Sequence, residues 1–106
     1  MHPKKYLYPA TLSIACFALP GGAIGSEALA QKNACTACHA MSNKLLGPSI
    51  ADIRSRYASD PDALAKLLAK TKAGGAGAFG SIPMPPQRHV PEQELSAIVK
   101  WMLEGK

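Results

Sequence analysis

Cys35-Thr36-Ala37-Cys38-His39 places two thiols three positions apart with a histidine directly after the second. This is the attachment pattern of a c-type haem. On one helical turn, the two cysteines can each add across one of the two vinyl groups of a single macrocycle, which leaves His39 pointing inward to the iron. A thioredoxin-like dithiol requires strands and helices alternating around the motif, and this chain offers helical patterns without convincing strands. A structural zinc site requires further paired donors, and only the distant His89 stands out as one. A plain Cys35 to Cys38 disulfide leaves His39 and much of the small core unexplained.

The N-terminus explains where such a motif is used. Lys4 and Lys5 form a positive start, Ala10 to Leu19 is a short apolar run, and Ala23-Ile24-Gly25 has small residues where a signal peptidase reads. Residues 1–25 are therefore expected to be a cleaved signal peptide, with Ser26 beginning the mature domain, 26–106. The apolar run is too short for a membrane-spanning helix, so no stable membrane insertion is expected after cleavage. An uncleaved anchor is the alternative, against which the break at Pro20-Gly21-Gly22 argues. Cys16 does not make a lipobox, because Ser13 stands where leucine is wanted. The expected compartment is the periplasm, where this type of haem attachment is completed. The 12 basic and 7 acidic residues overstate the basicity of the mature chain. Without Lys4 and Lys5 the excess is three, and two haem propionates reduce it further. Scattered lysines and few aromatic residues give nucleic-acid binding no support.

The remaining stretch reads as a set of helices. Ser26 can cap a first helix reaching about Cys35, with Glu27 in its first turn. Gly47-Pro48 opens a second in which Ile50, Ile53 and Tyr57 form a stripe. Asp60 as cap and Pro61 at the first position predict a third, with Leu64, Leu67 and Leu68 on its inner face and Lys70 and Lys72 at its negative end. Glycines and prolines make Gly74 to Pro86 a loop. A last helix starts near Pro91, carries Leu95, Ile98, Val99 and Met102 on one face and ends at Gly105. A domain this short buries little surface on its own, so the haem is expected to act as the centre of its core.

Within the loop, Ile82-Pro83-Met84-Pro85-Pro86 presents a thioether between residues of fixed φ. Met84 is the candidate second axial ligand, opposite His39. Met102 belongs to a helical stripe and reads as core, while Met41 is too close to the motif to reach the other face. A bis-histidine haem through His89 is the alternative. Histidine and methionine together leave no open position on the iron, favour electron transfer over oxygen chemistry, and place the couple at positive potential.

With these segments in order, the chain resembles a small bacterial class I cytochrome c, of the kind that serves periplasmic nitrite reductases and terminal oxidases as a soluble electron donor. The resemblance covers essentially all of Ser26 to Lys106. It rests on Cys35-Thr36-Ala37-Cys38-His39-Ala40, Lys44-Leu45-Leu46-Gly47-Pro48, Ile82-Pro83-Met84-Pro85-Pro86 and Lys100-Trp101. It implies an all-α fold of about four helices wrapped around one covalently bound haem c. It also implies that the Pro48 carbonyl accepts the outer imidazole N–H of His39. Leu46, Ile53 and Ile82 would pack on the haem, and Trp101 would seat the last helix on the first. Phe79 and Lys70 stand where members often carry the tryptophan and arginine that hold a propionate. Gln87 takes a common asparagine position, and Ala30 and Ala34 replace the usual aromatic and glycine.

The expected function is a non-enzymatic, monomeric one-electron carrier that meets redox protein partners through an exposed haem edge. Ala34, Ala37, Pro83, Pro85 and Pro86 would form the apolar patch there. Lys32, Lys44 and Arg88 would stand on its rim, or else be merely solvated. The competing readings are a haem peroxidase or gas sensor that releases Met84, and a dedicated cytochrome subunit of a larger oxidoreductase.

Overall fold

The computed structural model describes residues 1–4, 9–10, 13–15 and 26–105. Most of the expected signal peptide, including its cleavage site, lies outside them. The described residues form four α-helices: α1 Ser26–Lys32, α2 Ile50–Tyr57, α3 Ala63–Ala73 and α4 Glu92–Glu104. No strand occurs among them, only the isolated antiparallel bridges His39 to Lys44 and Gly75 to Met84. The all-α expectation therefore holds.

The last helix is the hub, because α1, α2 and α3 all pack against it. Its periodic stripe is wide: Leu95, Ile98, Val99, Trp101 and Met102 are all buried. Ala30 of α1 and Ile50 of α2 are fully buried against the same cluster. Burying a leucine or isoleucine side chain contributes roughly 1.5–3 kcal/mol, so this small set supplies most of the local driving force. Leu64, Leu67 and Leu68 of α3 pack on the cluster from one side and stay partly exposed.

Two polar clamps fix the crossings. At the start of α4, Glu94 accepts from Lys32 Nζ at 2.8 Å and from Asn33 Nδ2 at 3.0 Å. At its end, Arg54 Nε of α2 donates to the Met102 carbonyl at 3.0 Å, a cation on carbonyls that the helix leaves unpaired. Gly105 then closes α4 in the left-handed conformation, with φ 75°.

The element ends differ from the sequence expectations in three places. The first helix includes Ser26 and stops at Lys32, short of Cys35. The haem motif has its own short 3-10 turn, Cys35–Ala37, entered through Ala34 at φ 59°. A left-handed alanine costs about 1–2 kcal/mol, which explains why glycine is the easier residue there. The third helix begins at Ala63, because Asp60 closes a separate turn ahead of it: its carboxylate accepts from Asp62 N at 2.9 Å and its carbonyl from Ala63 N at 3.2 Å. The second helix is capped by Ser49, whose buried hydroxyl accepts from Asp52 N at 3.0 Å.

Two outcomes are expected. Ser49→Ala should lower unfolding stability by about 1 kcal/mol, read by denaturant titration, since it orphans a donor at the start of α2. Glu94 titrates below the ordinary glutamate range because it accepts from Lys32 and then from Asn33. A depressed carboxylate contributes stability that is present above its unfolded pKa and is lost as pH falls through the folded one. Glu94→Gln should therefore flatten the acid limb of a stability-against-pH curve, and added salt should shrink the difference.

Candidate functional site

His39 is positioned by contacts made almost entirely within residues 35–50. Its amide donates to the Cys35 carbonyl at 2.9 Å, and the Gly47 amide donates to Cys38 at 3.0 Å, closing the segment between them. The imidazole is buried, with 8% of the residue exposed. Its Nδ1 lies 2.8 Å from the Pro48 carbonyl. A carbonyl only accepts, so Nδ1 carries the proton and Nε2 keeps its lone pair free. Gly47 has a further role that the sequence did not disclose. A Cβ there would stand 2.5 Å from His39 Cε1 and 2.9 Å from Nδ1, so the ring rests directly on the glycine backbone.

Cys35, Cys38 and His39 open onto a cavity of about 730 Å³, within the range of sites that enclose organic ligands, roughly 300–1,000 Å³. Both thiols are free and half-buried. Burial pushes the Cys35 thiol above its ordinary range, the neighbouring Cys38 adds to this, and a backbone hydrogen bond opposes it. Among the described residues no cluster of three or more histidine, cysteine or acidic side chains is arranged to hold a bare metal ion.

The loop after α3 also lines the cavity. It contributes Met84 and Ile82, while Leu46 and Pro48 come from the segment after His39 and Ile53 from α2. Every haem-packing residue inferred from the resemblance is thus brought to one place. Leu46 and Ile82 remain 65% and 58% exposed, a large apolar area at the cavity mouth. Two free thiols, one imidazole nitrogen left over, a thioether and an apolar wall fit a haem attached through Cys35 and Cys38. Met102 is both core and cavity wall, whereas Trp101 is core and does not line the cavity. His89 reaches the rim from the turn before α4 and is largely exposed.

Several expectations need adjustment. Lys32 is paired with Glu94, so it is not a free charge on the rim. The Gln87 side chain donates to the Pro85 carbonyl at 2.9 Å and so stiffens its own loop. Phe79 and Lys70 both line the cavity. The Phe79 ring is tied to α2 by Tyr57, at 6.4 Å between centroids, and by the Arg56 guanidinium, 5.1 Å from its centroid. That pairing is long-range and left no local signal in the sequence.

Comparison with known proteins identifies the family. The family model described as Cytochrome c matches residues 23–106. The chain is 42% identical over 81 residues to cytochrome c-551 of Allochromatium vinosum, covering 76% of this chain and 86% of that protein. It is 40% identical over 103 residues to cytochrome c-552 of Hydrogenobacter thermophilus, covering 97% and 99%. Its fold is similar to the crystal structure of wild-type Nitrosomonas europaea cytochrome c552, with a TM-score of 0.71 at 41% identity over 76% of this chain and 99% of that one. The chain belongs to the cytochrome c family, with the all-α class I fold, and carries electrons on a covalently attached, iron-containing haem c rather than turning over a substrate.

Proposed function

We propose that the protein is a periplasmic one-electron carrier whose iron is held between His39 and Met84, after removal of residues 1–25. The observation that carries this reading is the convergence of Cys35, Cys38, His39 and Met84 on one cavity from segments at opposite ends of the domain. When bound, the haem iron supplies the ferrous and ferric couple. The chain's own residues do the rest. Pro48 holds the proton on His39 Nδ1, which fixes the ring's orientation and leaves the Nε2 lone pair available to a metal. Met84 supplies a soft sulfur that favours the reduced metal. Ile53, Leu95, Ile98 and Met102 exclude water from the interior face, which lowers the local dielectric and the cost of reorganisation.

The mouth of the site suits brief encounters with a protein redox partner. Leu46, Ile82, Pro83 and Pro85 are exposed around it, and Lys44 and Lys70 are exposed cations lining the same cavity. Such a patch fits a small, transient interface rather than a permanent one. The carrier is proposed to act as a monomer, and no described helix is long and apolar enough to cross a membrane. Secretion fits the positive start and apolar run of residues 1–25.

An optical spectrum of the holoprotein tests the ligand pair. The ferric form should be low-spin with the far-red sulfur-to-iron band, and Met84→Ala should abolish that band and lower the midpoint potential. A band that survives in Met84→Ala would exclude Met84 as the ligand. On the other side, Gly47→Ala drives a methyl into the His39 ring. It should destabilise the holoprotein by about 1–3 kcal/mol, the usual cost of overpacking, measured by denaturant unfolding followed in the haem absorbance.

A further inference from the structure

Between Pro83 and Gln87 only two residues have an amide hydrogen to give, because positions 83, 85 and 86 are proline. Both are spent on the same place. Met84 N donates to the Gly75 carbonyl at 2.9 Å, and Gln87 N donates to the Thr71 carbonyl at 2.9 Å. Gly75 N returns a bond to the Met84 carbonyl at 2.9 Å. Thr71 lies in the last turn of α3, where carbonyls lack partners within the helix, so the incoming loop satisfies one of them. Gly74 stands between these anchors at φ 69° and is the point of closest approach. A Cβ on Gly74 would lie 2.6 Å from the Met84 carbonyl oxygen and 2.7 Å from Pro86 N, and both are backbone atoms that cannot swing aside.

We propose that Gly74 and the C-terminal turn of α3 are the positioning element for Met84, setting where its sulfur stands in the cavity by backbone contact alone. The proposal rests on Met84 being the second ligand, and it adds what holds it there. The prolines make the segment stiff, but stiffness does not fix position. Position comes from the three hydrogen bonds to Thr71 and Gly75 and from the absence of a side chain at Gly74. Gly74 acts through the backbone of Met84, which makes it a positioning residue.

The test uses the holoprotein. Gly74→Ala should lose most of the far-red ferric band, gain high-spin character and shift the midpoint potential downward. Gly105→Ala is the control. Gly105 has a similar positive φ, 75°, ends α4 outside the cavity lining, and a Cβ there meets only the Arg54 guanidinium, at 3.3 Å. It carries the backbone strain without a collision against backbone atoms, so its band and potential should stay as in the parent. Retention of the band and potential in a folded Gly74→Ala protein would overturn the proposal, as would equal losses in both variants. Loss in Met84→Ala beside retention in Gly74→Ala separates failure of the positioning element from failure of the ligand reading.

Amide hydrogen exchange on the parent holoprotein decides the matter if Gly74→Ala does not assemble. The Met84 and Gln87 amides should exchange together with the Gly74 amide, which bonds to the Lys70 carbonyl at 2.7 Å. Exchange as fast as that of Ala76 and Ala78 in the intervening loop would refute the positioning role.

Discussion

Everything in this fold depends on one shared wall. Ile53, Leu95, Ile98, Val99 and Met102 belong to the hydrophobic cluster that joins the helices, and the same side chains line the cavity. A domain this small has no second core to fall back on. The surface that holds α2 and α4 together is therefore the surface that a haem would complete, and binding free energy is folding free energy. This explains the place of α4 as hub: it carries four of the five shared residues and meets every other helix.

The two sides of the cavity are built by different physics. On the His39 side, contacts are short in sequence: Cys35 to His39, Cys38 to Gly47 and His39 to Pro48 all close within a few turns of chain. Such contacts cost little loop entropy and can form early. On the Met84 side the chain leaves α3, runs through a glycine-rich loop and returns to α3. The return is registered by the Gly75 to Met84 pair and by Gln87 on Thr71. This side carries the longer loop and the fewer contacts.

That contrast also explains what the sequence made legible. Cys35, Cys38 and His39 are adjacent, so their chemistry can be read directly. Met84 stood out because it lies between prolines and off any helical stripe. The stripes of α2 and α4 were visible because burial repeats with the helical period. The ends of α1 and α3 were not, because a left-handed Ala34 and the separate Asp60 turn are backbone choices settled by what packs around them. Gly47 and Gly74 were legible as breaks but not as contact points. A glycine's lack of a side chain says nothing about which distant ring or carbonyl occupies the space. Arg56 on Phe79, and Lys32 drawn onto Glu94, are likewise pairings across helices that no local pattern announces.

The unequal construction of the two sides has a consequence for dynamics. Local opening follows the number of buried contacts that must be broken, and loops anchored by a few backbone bonds open well before the core does. His39 would be tethered twice over, by the flanking thioethers and by Pro48, and its ring is buried against Gly47. Met84 is half-exposed and held by a loop whose register rests on two donated amides. Opening at the site should therefore begin on the Met84 side, together with the C-terminal turn of α3 that it is bonded to, while the other helices and the His39 side stay closed. A carrier gains from that order, because the strong side preserves attachment. The weak side needs only enough rigidity to keep its sulfur in place between encounters, and the bonds to Thr71 and Gly75 supply it without a larger core.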